Sequence, residues 1–140
     1  MRICIMIFGV GIDIIEVERI KKQITEKNNF KKRIFSQKEI EYCESKKNRA
    51  QNYAARFAAK EAFFKAIGTG LRGGLAFNEI EIVQDKMGKP EIVLYGNARR
   101  FISEKKLSNI HVSLSHIEDF ACAIVIIEMA HRKNGHFGRR

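Results

Sequence analysis

Two acidic residues about fifty positions apart, Asp13 and Glu61, are the first candidates for chemistry in this chain. Glu61 lies in the run Arg56-Phe-Ala-Ala-Lys-Glu-Ala-Phe-Phe-Lys-Ala-Ile-Gly-Thr-Gly70. Alanines dominate the run, no proline interrupts it, and Gly68 then Gly70 stand where a helix C-terminus is expected. At about 100° per residue, Phe57, Glu61, Phe64 and Gly68 fall on one side of that helix, with Lys65 one turn from Glu61. An ionised carboxylate among phenylalanines costs roughly several kcal/mol unless it is neutralised, by a metal ion, by Lys65 or by a raised pKa. The competing interpretation is an ordinary i,i+4 Glu-Lys pair at a half-exposed position. Asp13 closes the segment Gly9-Val-Gly11-Ile-Asp13, whose glycines let the backbone pass close to other groups. An acid at the end of a strand is placed for metal or substrate work, and equally for capping a helix over Ile14 to Ile20.

His111 and His116 are five positions apart in His111-Val-Ser-Leu-Ser-His116. On a strand they face opposite ways and cannot chelate one metal together. Ser113 and Ser115 share a face with His111, but there is no G-x-S-x-G elbow to support a nucleophilic serine. The glycines of Gly68-Thr-Gly70-Leu-Arg-Gly73-Gly74 match G-x-G-x-x-G nominally, yet they follow a helix and precede a strand, the reverse of dinucleotide-binding order. A glycine-rich loop of this kind can still hold a phosphate.

The elements that must position these residues form a mixed α+β domain. A chain of 140 residues that is 45% hydrophobic, with ten phenylalanines, suits one compact domain. The run Ile3 to Ile15 is too short to cross a bilayer, lacks a cleavage site and reads as a buried strand. Ser36-Gln-Lys-Glu39 is a capping box for a polar helix reaching about Lys47, and Asn48 to Arg56 leads into or joins the central helix. Phe77 to Val83 and Pro90 to Tyr95 read as a hairpin, Gly96 to Lys106 as a helix, and His111 to His116 with Phe120 to Glu128 as a second hairpin. Three separated cysteines, Cys4, Cys43 and Cys122, point to reduced thiols in a cytoplasmic protein and away from a disulfide or zinc framework.

The net charge of +10 attracts polyanions. Part of it sits in Lys21 to Arg33 and part after Glu128, where residues 129–140 read as a flexible basic tail behind a domain over 1–128. Charge alone leaves nucleic acid, an acidic membrane, an acidic protein and a phosphorylated small molecule open. No repeat, low-complexity tract or basic-aromatic interleaving singles out nucleic acid.

Gly9 to Asp13, Arg56 to Gly70 and His111 to His116 together resemble, in order and spacing, the three motifs of the 4'-phosphopantetheinyl transferases, in the short holo-acyl-carrier-protein synthase form. The similarity runs from about Ile7 to Glu128; Met1 to Met6 extends beyond the family's usual start, which makes Met6 a candidate initiator. The resemblance implies an antiparallel sheet packed with a long central helix. It implies a Mg²⁺-dependent enzyme that moves phosphopantetheine from coenzyme A to a serine of apo acyl carrier protein, for fatty acid biosynthesis, releasing adenosine 3',5'-bisphosphate. Asp13 and Glu61 would be the metal ligands, with Glu61 or a metal-bound water as base. Lys65 would hold a coenzyme A phosphate, and Arg56, Gly68, Thr69, Gly70 and His111 would line the nucleotide site, His111 from a neighbouring subunit of a homotrimer. Arg19, Lys21 and Lys22 would face the acidic carrier protein, leaving no role for nucleic acid or membrane. The alternative, a basic nucleic-acid-binding module, leaves Asp13 and Glu61 unexplained.

Overall fold

A computed structural model describes residues 2–133. In chain order its elements are β1 (Arg2–Glu16), α1 (Val17–Thr25), α2 (Phe30–Ile34), α3 (Gln37–Glu44), α4 (Arg49–Ile67), β2 (Ile80–Gln84), β3 (Pro90–Leu94), α5 (Gly96–Glu104), β4 (Leu107–His116) and β5 (Phe120–Lys133). The long strands form an antiparallel sheet in the order β1-β5-β4, and β2 with β3 forms a separate antiparallel hairpin. This is the expected α+β architecture, with α4 laid against one face of the larger sheet.

Alanine makes that packing close. Ala54, Ala55, Ala58, Ala59, Ala62 and Ala66 of α4 are buried, and so are Ala121, Ala123, Val125 and Ile127 on the facing side of β5. An aromatic cluster fills the space between α4 and the helices α2 and α3: Phe35 lies 4.9 Å from Tyr53, and Phe57 stacks on Phe77 at 5.6 Å. The capping box forms as read, Ser36 Oγ accepting from the Glu39 N–H at 3.2 Å while Glu39 Oε1 accepts from the Ser36 N–H at 3.0 Å.

Several expectations need correcting. The first strand is not buried on both faces: Ile3, Ile5, Ile7, Val10, Ile12 and Ile14 are exposed, because α4 covers only the other side. A bulge between Ile7 and Gly9 keeps these residues on one face. Asp13 does not cap a helix, since β1 stays paired with β5 through Glu16 and α1 begins only at Val17. Phe77 to Glu79 is a 3-10 turn, with the strand starting at Ile80. The Phe77 carbonyl accepts from Lys60 Nζ at 3.1 Å, while that of Glu79 accepts from the Tyr95 N–H at 2.9 Å and leads into the hairpin. At the far end β5 does not stop at Glu128. Met129 to Lys133 continue the strand opposite Arg2 to Met6, and the remainder of the expected tail, 134–140, lies outside the described residues.

Candidate active site

The Gly9-x-Gly11-x-Asp13 spacing has a steric cause. A Cβ at Gly9 would stand 1.9 Å from the Ala66 carbonyl oxygen, and one at Gly11 1.8 Å from that of Ala62. Only glycine lets β1 lie with its backbone directly on α4. Two residues further on the same face comes Asp13, and the next exposed turn of α4 meets it there. Lys65 Nζ donates to Asp13 Oδ1 at 3.1 Å and to the Ile12 carbonyl at 3.0 Å. Lys65 thus pairs with Asp13 rather than with Glu61, which sets aside the i,i+4 interpretation.

Glu61 is half-buried beside them, and burial pushes its carboxyl above the usual range. The Asp13 carboxylate adds to the shift, and Lys65 opposes it. The site therefore holds two carboxylates close enough to interact and one lysine that is more than half exposed, an arrangement short of positive charge. Hard oxygen donors with room for water and phosphate suit Mg²⁺. Among the described residues no group of three His, Cys, Asp or Glu side chains could form a fuller protein cage. The residues present fit such an ion with two protein ligands.

Gly68 ends α4 in the left-handed conformation at φ 76°, its N–H donating to the carbonyls of Phe64 and Lys65. Thr69 follows in the lining of a cleft of about 400 Å³, with Arg72, Asn97 and Arg100, and Gly70 comes next in the chain. Lys65, Gly68, Thr69 and Gly70 are thus gathered at one end of α4.

The sequence profile of the 4'-phosphopantetheinyl transferase superfamily matches residues 9–125, a span holding all three motifs. The chain belongs to this superfamily. It is 47% identical over 124 residues to the holo-[acyl-carrier-protein] synthase of Geotalea daltonii, covering 88% of this chain and 99% of that one. In solved structures it resembles the holo-[acyl-carrier-protein] synthase of Neisseria meningitidis, with a TM-score of 0.80 and 35% identity over 91% of this chain and all of that one. It also resembles the Bacillus anthracis enzyme solved in complex with CoA (3',5'-ADP), with a TM-score of 0.74 and 36% identity over 89% of this chain and 98% of that one.

Two further residues expected at the site from the sequence, Arg56 and His111, lie away from Asp13 within one chain. Arg56 is only 3% exposed; its guanidinium stacks on Tyr42 at 4.1 Å, Nη1 donates to the Asn52 carbonyl at 3.4 Å, and Nε has no partner. Five residues along a helix turn it about 140° from Glu61, onto the α3 side. His111 is on the open face of the sheet, with Nε2 3.1 Å from Glu128 Oε1, whereas Asp13 is on the face toward α4. Asn109 foremost, and His111 after it, hold the Glu128 carboxyl below the usual range. His116 faces the opposite way from His111, as read, and its Nδ1 lies 2.8 Å from Gln51 Oε1 at the start of α4.

The basic residues of α1 divide. Arg19 and Lys22 border a groove of about 430 Å³ whose apolar walls include Ile15, Phe30 and Phe57. Lys21 lines a different cleft, of about 420 Å³, beside Lys47 and Arg49. Sequence reading missed Lys60 and Glu39, a fully buried ion pair at 2.6 Å. Burial pulls the Lys60 pKa below its ordinary value, and Glu39 resists this. Cys43, pushed up to about 12 by burial, is an inert core thiol.

Proposed function

We propose that this transferase moves the 4'-phosphopantetheine group of coenzyme A onto a serine hydroxyl of apo acyl carrier protein, leaving adenosine 3',5'-bisphosphate. The observation that carries this reading is the pair of carboxylates, Asp13 and Glu61, brought together where two glycines seat β1 on α4. Asp13 and Glu61 would hold Mg²⁺, which when bound polarises the transferring phosphoryl group and offsets charge on the leaving phosphate. Lys65, the only cation now touching Asp13 among the described residues, supplies the ammonium for a coenzyme A phosphate. Glu61, or a water held by the ion, would accept the serine proton. Gly68, Thr69 and Gly70 line the nucleotide beside it.

The remaining parts of the site come from assembly. The open sheet face carries Ile12 at 65% and Ile14 at 68% exposure, together with Ile5, Ile7 and Val10, a large apolar surface for one chain. Covering it with further copies in a homotrimer brings His111 to a neighbour's Asp13 and Glu61. Arg56 serves the nucleotide site from the α3 side of the helix. The groove of Arg19 and Lys22, apolar at its floor and basic at its rim, receives the acidic carrier protein; Lys21 acts from the adjoining cleft. No helix of the described residues is long and apolar enough to cross a membrane. The free thiols Cys4, Cys43 and Cys122 suit the cytoplasm. Incubating the protein with apo carrier protein, coenzyme A and Mg²⁺ tests the reading. The carrier gains the mass of one phosphopantetheine group, and an unchanged carrier mass refutes it.

A further inference from the structure

Consecutive helix residues point about 100° apart, so whatever fixes Lys60 also decides where Glu61 points. The Lys60 side chain is 0% exposed, and its Nζ lies 2.6 Å from Glu39 Oε1. It also donates to the carbonyls of Ile34 at 2.8 Å, Phe77 at 3.1 Å and Ile80 at 2.6 Å. An ammonium carries three N–H donors and no acceptor, so a socket of four oxygens selects that group. Those oxygens come from four separate pieces of chain: the end of α2, α3, the 3-10 turn and the start of β2. Glu39 is itself held, by the N–H of Ser36 at 3.0 Å and that of Ile82 at 3.2 Å. On its other flank α4 is pressed against β1, where Ala62 and Ala66 meet Gly11 and Gly9. Glu61 emerges between these two grips.

We propose that Lys60 is a positioning residue for the transfer: its socket fixes the rotation of α4 so that Glu61 is presented to Asp13. The inference rests on reading those two carboxylates as a divalent-cation site. A buried ion pair can often be exchanged for apolar residues of similar volume without loss of stability. Here the exchange also takes the donor away from the carbonyls of Ile34, Phe77 and Ile80, so a loss of stability is expected beside the loss of the rotation imposed on Glu61.

The test compares full-length wild type, Lys60→Met/Glu39→Met and Glu39→Gln. Each is titrated calorimetrically with Mn²⁺, standing in for Mg²⁺, and assayed for transfer in the same buffer. The double variant is expected to melt below wild type, because the carbonyls of Ile34, Phe77 and Ile80 lose their donor. Its Mn²⁺ affinity should fall roughly ten- to a hundredfold, as when a group supporting a metal ligand is removed. Its kcat should fall with that affinity while KM for the carrier changes less than about twofold. Glu39→Gln, which keeps the shape of the pair but loosens it, moves both quantities the same way to a smaller degree. A folded double variant with wild-type Mn²⁺ affinity and kcat reduces the socket to packing and overturns the proposal. If the double variant does not fold, Glu39→Gln decides: weakened Mn²⁺ binding supports positioning, and wild-type binding and kcat overturn it. Wild type is the control for the underlying reading. If it transfers but binds no Mn²⁺, or fails to transfer, the cation-site reading falls and takes this proposal with it.

Discussion

At Glu61, burial and the Asp13 carboxylate act in the same direction, and Lys65 opposes them incompletely because its ammonium sits on Asp13. The folded protein therefore holds the Glu61 proton more tightly than the unfolded chain does. Stability falls as pH rises from the ordinary glutamate range through the raised Glu61 value, and above that the cost is fully present. Glu61→Gln should accordingly melt higher than wild type in metal-free buffer at a pH above the raised Glu61 value. Adding Mg²⁺ should raise the wild-type melting temperature and leave the variant unmoved. Equal melting temperatures without metal, or equal shifts with it, would show that Glu61 is an ordinary surface acid. The neighbouring residue shows what sequence reading could not reach. Nothing in the local sequence gives Lys60 a role, yet it finds Glu39 and three carbonyl oxygens scattered from Ile34 to Ile80. Backbone oxygens leave no mark in a sequence.

At the scale of elements, the decisive contact is β1 on α4. Gly11→Ala puts a methyl group 1.8 Å from the Ala62 carbonyl, which neither backbone can accommodate in place. The strand must lift, with a loss of about 2 kcal/mol or more in urea unfolding and of transfer activity together. A variant with wild-type stability and turnover would mean that the two backbones are not in contact. A second junction joins three helices through Glu44, which accepts from Lys31 at 2.6 Å, Arg49 at 2.8 Å and Tyr53 at 2.9 Å. The Lys31 hydrogen bond foremost, then those of Arg49 and Tyr53, hold its carboxyl down at about 2, against the lifting effect of burial. Its contribution is present above the ordinary glutamate range and is lost as pH falls toward that value. Because the group is about a third exposed, Glu44→Gln should cost only about 1 kcal/mol at pH 7, and the difference should close in acid. A gap that persists at pH 2 would assign the effect to packing. Most of this scaffold was legible in the sequence. The Ser36-Glu39 box, the alanine-rich α4 with its Gly68 stop and both hairpins follow from local rules. The strand at Phe77 and the helix cap at Asp13 were misread: Phe77 to Glu79 turn where the Phe77 carbonyl meets Lys60, and a continuing β5 partner, distant in sequence, keeps Asp13 in the sheet.

For the whole molecule, a single copy leaves an isoleucine-rich sheet face open and His111 on the far side of the sheet from Asp13. Association as proposed would resolve both, and light scattering should then find a trimer. Mixed oligomers of a Glu61→Gln and a His111→Ala variant should regain part of the activity that each lacks alone, through sites built from the two intact residues. An active monomer would contradict this arrangement. The sequence marked the three motifs but could not say which faces they share, because that depends on the Ile7/Gly9 bulge and on which side of the sheet α4 covers. The decisive measurement is the mass of apo carrier protein over time with coenzyme A and saturating Mg²⁺, under wild type, Asp13→Ala and Glu61→Gln in parallel. Wild type should convert the carrier completely to its phosphopantetheinylated form, and neither folded variant should do so above background. Wild-type rates from either variant would contradict this reading.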